Sequence, residues 1–327
     1  MPCYNSAAYI RSAVESLKGQ TYRQWELIAV NDGSKDDTLS ILETYAKDDD
    51  RIRIFSKENG GYVSAVNMGL DNISGDYFLL MGSDDRLSYD LFEKINEVAI
   101  DKMPDVIGFR TLRFVDGENK GVDKFTSFST FVNIKDSDIL RFEKSYPEHS
   151  EIMFTRDTSK IFKTELLGDL RYFGKYGFDA DGIFTMLFSH KARSFMSVPV
   201  DGYNWTLRSD SLSGRPLTNE ITIDRISDWY LFFEQLGEYD NTLITNHEKK
   251  YISYYFNTVR ELYEKIGCKD KNVRELVGKC IQQLKKIIKK YEYQKIIGRL
   301  SFGQRLFLLS PSVYIFFTKL KKNKKHI

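Results

Sequence analysis

Proline is scarce, with six residues in 327, and cysteine is scarcer, with three. Cys3, Cys268 and Cys280 show no metal-type spacing and form no even set, so they read as thiols in a reducing compartment. No apolar run reaches the roughly 18 residues that a membrane span needs. The nearest, Leu306–Phe317, is too short and holds Pro311. The opening residues lack the charged and apolar stretches of a signal peptide. Net charge is also nearly lacking: 48 basic against 46 acidic side chains leave +2, which argues against a dedicated nucleic-acid binder. What is present, 42% hydrophobic and 29% charged residues, is a foldable globular mixture and excludes the disordered and collagen-like classes.

The small net charge hides an asymmetry. Residues 281–327 hold 12 Lys and Arg against the single acid Glu292, a local +11, which leaves −9 for residues 1–280. An acidic body with a basic tail suggests a catalytic domain that contacts an anionic surface, or a solvated helix face with a frayed end. Lys285-Lys286-Ile287-Ile288-Lys289-Lys290 alternates basic and apolar pairs. Leu306–Phe317 and the lysines after it would suit a helix lying on an anionic leaflet.

The first third alternates strand and helix patterns. Strands are predicted at Trp25–Val30, Arg51–Phe55, Tyr77–Met81 and Asp105–Phe109. Helices are predicted at Ala7–Leu17, Asp37–Ala46, Val63–Leu70 and Tyr89–Ile100. That alternation implies an α/β layer structure with a mostly parallel sheet, and ligands in such folds sit beyond the carboxyl ends of the strands. Residues 110–218 are less periodic, with strands predicted at Thr111–Val115 and Arg193–Val198 and helices at Ser159–Leu167 and Gly182–Ser189. From 219 the pattern is helical, with Ile223–Leu236, His247–Ile266, Lys271–Tyr291 and Phe302–Leu320 as candidates. A boundary is placed between residues 1–218 and 219–327.

Two acidic turns follow strands. Asp84 and Asp85 form a carboxylate pair suited to a hard divalent cation that takes oxygen ligands. An Asx turn before the next helix is the alternative. Asp32 could accept from a nucleoside base or ribose, or act in an N-terminal cap, a role open equally to Ser34 and Asp36. Gly60 and Gly61 permit close backbone approach to a ligand, or simply a turn. The four histidines form no ligand pair.

These turns lie within a recognisable series. Pro2-Cys3-Tyr4-Asn5, Gln20-Thr21-Tyr22 with Trp25-Glu26-Leu27-Ile28, and Asn31-Asp32-Gly33-Ser34-Lys35-Asp36 come first. Glu58-Asn59-Gly60-Gly61 with Asn67-Met68-Gly69-Leu70 follows, then Gly75-Asp76-Tyr77 with Ser83-Asp84-Asp85. These elements in this order resemble the family 2 glycosyltransferases; the weaker segments Phe178–Asp181 and Tyr203–Ser213 extend the resemblance to about residue 213. It implies a GT-A-like Rossmann-type sheet flanked by helices, with a helical C-terminal extension. It implies inverting transfer from a nucleotide-sugar, a UDP-sugar in particular, with Mn2+ or Mg2+ held by Asp84 and Asp85. Pro2, Tyr4, Asn5, Asp32, Gly60, Asn67, Ser83, Asp84 and Arg208 fall at nucleotide-sugar-binding positions. Asp181 is the candidate general base and Asp179 its alternative; a helix-start cap is the bland reading of either. Arg208 could also be an ordinary surface arginine, and Tyr203 and Trp205 could stack on a sugar or belong to the core. The acceptor implied is a glycan or a lipid-linked molecule in surface-polysaccharide synthesis. That places the protein in the cytoplasm, peripheral on the inner face of the membrane.

Three departures stand out. Gly82 replaces the first Asp of the family's Asp-x-Asp, and Val66 stands where an Arg often precedes Asn67. The resemblance also implies a hydrophobic strand ahead of Pro2, beside the second strand. Its absence would leave a gap and unpaired ladder groups, so the expectation is a start assigned too late or a truncated gene. Two rival readings remain. A nucleotidyltransferase would need a Gly-rich, basic phosphate loop that is not visible, and a non-catalytic scaffold would have lost activity through Gly82.

Overall fold

A computed structural model describes residues 1–99, 101–115, 118–122, 130–133, 157–174, 180–208 and 218. Beyond these it describes 222–224, 226–228, 230–231, 255–261, 263–264, 270–290 and 302–311. The described chain is α/β, with a parallel sheet flanked by helices.

The parallel sheet contains β1 (Pro2–Cys3), β2 (Leu27–Asp32) and β3 (Ile52–Lys57), in that order. Pro2 lies opposite Val30 and Leu27 opposite Ile52. Every residue of β2 is buried, which is why Leu27-Ile28-Ala29-Val30 runs apolar without alternation. Helices make the crossovers that parallel strands require. α1 (Ile10–Lys18) turns Ile10, Ala13, Val14 and Leu17 inward at helical spacing. α2 (Thr38–Asp48) and α3 (Tyr62–Leu70) follow β2 and β3.

A second sheet runs β4 (Tyr77–Phe78), β9 (Lys160–Lys163), β6 (Val106–Val115), β10 (Ser194–Leu207), β5 (Arg86–Leu87). β7 (Glu118–Val122) adds to β6, and β8 (Thr130–Asn133) to β10. In this sheet β6 and β10 are parallel and the other pairings antiparallel. The mostly parallel expectation therefore describes the first sheet, while the second is mixed. α4 (Leu91–Ala99) and α5 (Ala180–Lys191) complete this part of the chain. One core cluster joins both sheets through Val14, Leu42, Met81, Leu91, Phe109 and Met196.

Several predicted elements differ. Ser159–Leu167, read as a helix, is β9 followed by a single 3-10 turn over Thr164–Leu166. β9 is flanked by β4 and β6 and buries Phe162 against Phe78 with rings stacked at 5.3 Å, so tertiary pairing overrides the local pattern. Asp105–Phe109 and Thr111–Val115 merge into β6. Tyr77–Met81 shortens to two residues. Arg193–Val198 extends into the 14-residue β10, whose register shifts between Ser197 and Tyr203. Pro199 lies inside that irregularity, where a ladder donor is dispensable.

Met1 itself enters the parallel sheet. Its ammonium donates to Ile28 O at 2.8 Å and its carbonyl accepts from Val30 N at 2.9 Å. Burial holds that ammonium below its ordinary value and pushes the Cys3 thiol up to about 12. Beside it lies a cavity of about 630 Å³, lined by Leu27 and Ile28 of β2 and by Phe78, Leu79, Leu80 and Ile107.

The chain divides into two compact units, Met1–Pro216 and Leu217–Ile327. In the second, α6 (Lys271–Lys290) and α7 (Phe302–Leu309) are the named helices. Phe307 packs edge-on to Phe256 at 5.6 Å, and Gln283 donates to the Tyr230 carbonyl at 2.6 Å. The lysines after Leu320 lie outside the described residues. Among the described residues no helix is long and apolar enough to cross a membrane.

Candidate functional site

The carboxyl ends of β1 and β2 open onto loops that are bound to one another. Asn5 sits at φ 48° and its Oδ1 accepts from Lys35 N at 2.8 Å. Ser34 Oγ accepts from Asn5 N, and Ser6 Oγ lies 2.7 Å from Ser83 Oγ. Pro2 is in β1, and Tyr4 is 51% exposed at the rim. Asp32 ends β2 and is almost fully buried. Its carboxylate accepts from Lys57 Nζ at 2.9 Å and from the amides of Gly60 and Gly61 at 2.8 Å each. Asp32 thus fixes the loop before α3 rather than standing open. Gly61, at φ 84°, makes the turn that presents those amides.

Asp84 and Asp85 share a turn but face different partners. Asp84 Oδ2 accepts from Arg208 Nε at 3.0 Å and pairs with Nη2 at 2.9 Å. The guanidinium also lies over the Tyr9 ring, 4.1 Å from its centroid. Asp85 is 4% exposed, and its two oxygens accept from the Tyr203 hydroxyl at 2.6 Å and Thr206 N at 2.8 Å. Tyr203 OH in turn accepts from Gly82 N at 3.0 Å. Burial and the neighbouring Asp84 charge push the Asp85 carboxyl up to about 7, against the bonds from Tyr203 and Thr206. A side chain at Gly82 would put its Cβ 2.6 Å from Asp85 Oδ2 and 2.9 Å from Asp84 Oδ1. The two carboxylates occupy the room that another residue there would need.

Asp181 lies in the first turn of α5, with Oδ1 accepting from Gly182 N at 2.7 Å. Asp179 lies outside the described residues. The Asn67 side-chain amide donates to Tyr172 O and accepts from Tyr172 N, both at 2.8 Å. Tyr172 stacks on Phe184 at 4.5 Å and donates its hydroxyl to Asp157. Trp205 packs partly buried against the core, and Tyr203 is wholly buried, so Tyr203 serves the turn rather than a sugar face. Sequence reasoning missed Lys57, Asp157 and Tyr172. Lys57 closes β3, a position that could have flagged it; Asp157 and Tyr172 carry no local signal.

Among the described residues no group of three His, Cys, Asp or Glu could hold a metal ion. Asp84 pairs its Oδ2 with Arg208 and sets its Oδ1 beside Gly82. A single carboxylate fits a hard cation whose remaining oxygens come from phosphates and water, the usual habit of Mg2+.

The family described as Glycosyl transferase family 2 matches residues 1–170. Glycosyltransferase GlyA of Streptococcus pneumoniae is 30% identical over 182 residues, 55% of this chain and 26% of that protein. An uncharacterized glycosyltransferase of Rickettsia typhi is 48% identical over 85 residues, 26% of each chain. The chain thus spans about a quarter of the length of these relatives. Among solved structures, S. aureus TarS 1–349 in complex with UDP-GlcNAc superposes with a TM-score of 0.70 at 20% identity, over 96% of this chain and 86% of that one. That likeness concerns the fold.

Proposed function

The chain belongs to glycosyl transferase family 2, and from that premise we propose that it moves a sugar, with inversion, from a nucleotide-sugar to a hydroxyl of a glycan or lipid-linked acceptor. The donor proposed is a UDP-sugar; TarS, whose fold it shares, was crystallised with one. The observation that carries the reading is the pairing of Arg208 with Asp84 in a turn tied through Ser83 to the β1 loop. A cation and a carboxylate adjoin there, at the edge where ligands of such sheets bind.

In this reading Asp181 takes the proton of the acceptor hydroxyl while its oxygen attacks the anomeric carbon. The bond from that carbon to the diphosphate breaks, and the electron pair leaves with the nucleotide. Arg208 exchanges its bond to Asp84 for the departing phosphate, giving charge-assisted hydrogen bonds as negative charge develops. Asp84 would hold Mn2+ or Mg2+, which when bound supplies further neutralisation of the diphosphate. Asp85 anchors the turn to β10 instead of ligating. Asp32 shapes the Gly60-Gly61 loop against which the nucleoside rests. A role in surface-polysaccharide synthesis, with the basic tail holding the protein on an anionic membrane face, completes the proposal.

Thermal shift against a panel of nucleotide-sugars, followed by donor turnover with Mn2+ or Mg2+, is the test. Asp181→Asn is expected to lower turnover at least about a thousandfold with donor binding nearly intact. Wild-type turnover in that variant refutes the base assignment, and no shift with any nucleotide-sugar refutes the donor class.

A further inference from the structure

The pair of Arg208 and Asp84 has a third member that the mechanism above leaves unused. The Arg208 guanidinium carbon lies 4.1 Å from the centroid of the Tyr9 ring. Its Nε and Nη2 both end on a single oxygen, Asp84 Oδ2, at 3.0 and 2.9 Å. The two contacts use different parts of the cation. The fork of N–H groups is spent on the carboxylate, while attraction to the ring needs the positive charge and neither of those N–H groups. With 23% of the Arg208 side chain and 20% of the Asp84 side chain exposed, the pair is largely withdrawn from water. That withdrawal strengthens both contacts.

Each partner is fixed from behind. Tyr9 stands immediately before α1, its N–H donating to Ser6 O at 2.9 Å and its carbonyl accepting from Ser12 N at 3.0 Å. Ser6 donates its own amide to Thr38 Oγ1 at 2.7 Å. Its hydroxyl lies 2.7 Å from that of Ser83, the neighbour of Asp84. Arg208 follows β10, two residues past Thr206, whose amide is bonded to Asp85. Tyr9, Ser6, Ser83, Asp84 and Arg208 thus close a ring of contacts that joins the β1 loop, the start of α1, the turn at 82–85 and the end of β10.

We propose that Tyr9 is a positioning residue for Arg208: its ring keeps the cation in place while the N–H edge passes from Asp84 to the phosphate. The inference rests on the role given to Arg208 above. Without the ring, an arginine that lets go of its carboxylate regains the freedom of a long side chain. That freedom must be given up again each time a diphosphate is grasped. With the ring, only the partner at the edge changes. Tyr9 acts through Arg208 and through no contact of its own with the sugar.

UDP carries the full charge of the leaving group. Its affinity, measured by calorimetry on the full chain with Mg2+, therefore reports how well Arg208 is presented. Tyr9→Leu should weaken UDP binding about threefold to thirtyfold, the range of one partly buried cation–π contact. Tyr9→Phe keeps the ring and should stay within about twofold of wild type. Trifluorophenylalanine at position 9 has nearly the shape of Phe but an electron-poor face, and its affinity should fall between those of Phe and Leu. In an Arg208→Gln background, Tyr9→Leu should cost nothing more. A fluorinated ring that binds UDP as well as Phe would overturn the proposal, since packing alone survives fluorination. That readout remains if Tyr9→Leu folds poorly. An equal loss from Tyr9→Leu with and without Arg208 would overturn it too. A wild type that does not bind UDP defeats the donor reading and this inference with it, whereas affinity unchanged by Arg208→Gln alone defeats the role given to Arg208.

Discussion

At the scale of single residues, buried hydroxyls and carboxyls mark where this fold spends stability on its site. Asp157 moves from its ordinary 3.8 up to about 7 on folding. The native state therefore binds the extra proton between those values, and stability falls as pH rises through that window, staying at the lower level above it. Asp157→Asn should match the wild type near pH 4 and exceed it at pH 8 by up to about 4 kcal/mol in urea unfolding. A variant less stable than wild type at pH 8 would contradict the neutral-acid account. Tyr203→Phe has the opposite sign. It strips a donor from buried Asp85 and an acceptor from Gly82 N, so a loss of about 1–3 kcal/mol is expected. Asp84 was singled out in the sequence by a short ordered series of turns, and Asp181 by the weaker segment Phe178–Asp181. Asp157 was not, because its partner Tyr172 lies 15 residues on and the clamp on Tyr172 comes from 105 residues away. No local spacing encodes such a meeting.

At the scale of elements, the motif residues sort into those that face the site and those that build it. Gln20 donates to Ser88 O at 2.7 Å and accepts from Phe92 N, joining α1 to α4. Glu26 Oε1 takes the amides of Ser74 and Gly75, holding the turn before β4. The order of β2, β3 and their helices was readable because each buried stretch is long and bounded by turn residues. β9 was misread because four residues cannot separate a strand from a helix by period. Apart from β6 with β7, the second sheet's antiparallel pairings were hidden because they join residues some 50 to 120 positions apart. The cavity between β2 and the residues after β4 has its own prediction. Five apolar residues joined ahead of Met1 should enter it as a strand, replacing a buried ammonium by a peptide group. Thermal unfolding should then rise by at least about 4 °C, given roughly 0.8 kcal/mol for each methylene buried. An unchanged midpoint, with the added amides exchanging freely, would show that the cavity does not accept a strand.

At the scale of the molecule, the charge asymmetry follows the division into units. The acids named at the site lie in Met1–Pro216 and the +11 stretch in Leu217–Ile327. A chain ending near Gly298 should keep its nucleotide-sugar thermal shift and lose most of its flotation with anionic vesicles, since each basic residue near such a surface adds about 1 kcal/mol. Equal flotation of the two chains would remove the membrane role. The amide of Asn67 carries a different consequence. It reads the peptide group of residue 172 and ignores the side chain, much as one strand reads another. The position of that loop and the chemistry it delivers are therefore separately inherited. A different residue at 172 would arrive at the same address beside Asp157, so the partner of that buried carboxyl can be exchanged without rebuilding the scaffold that holds it.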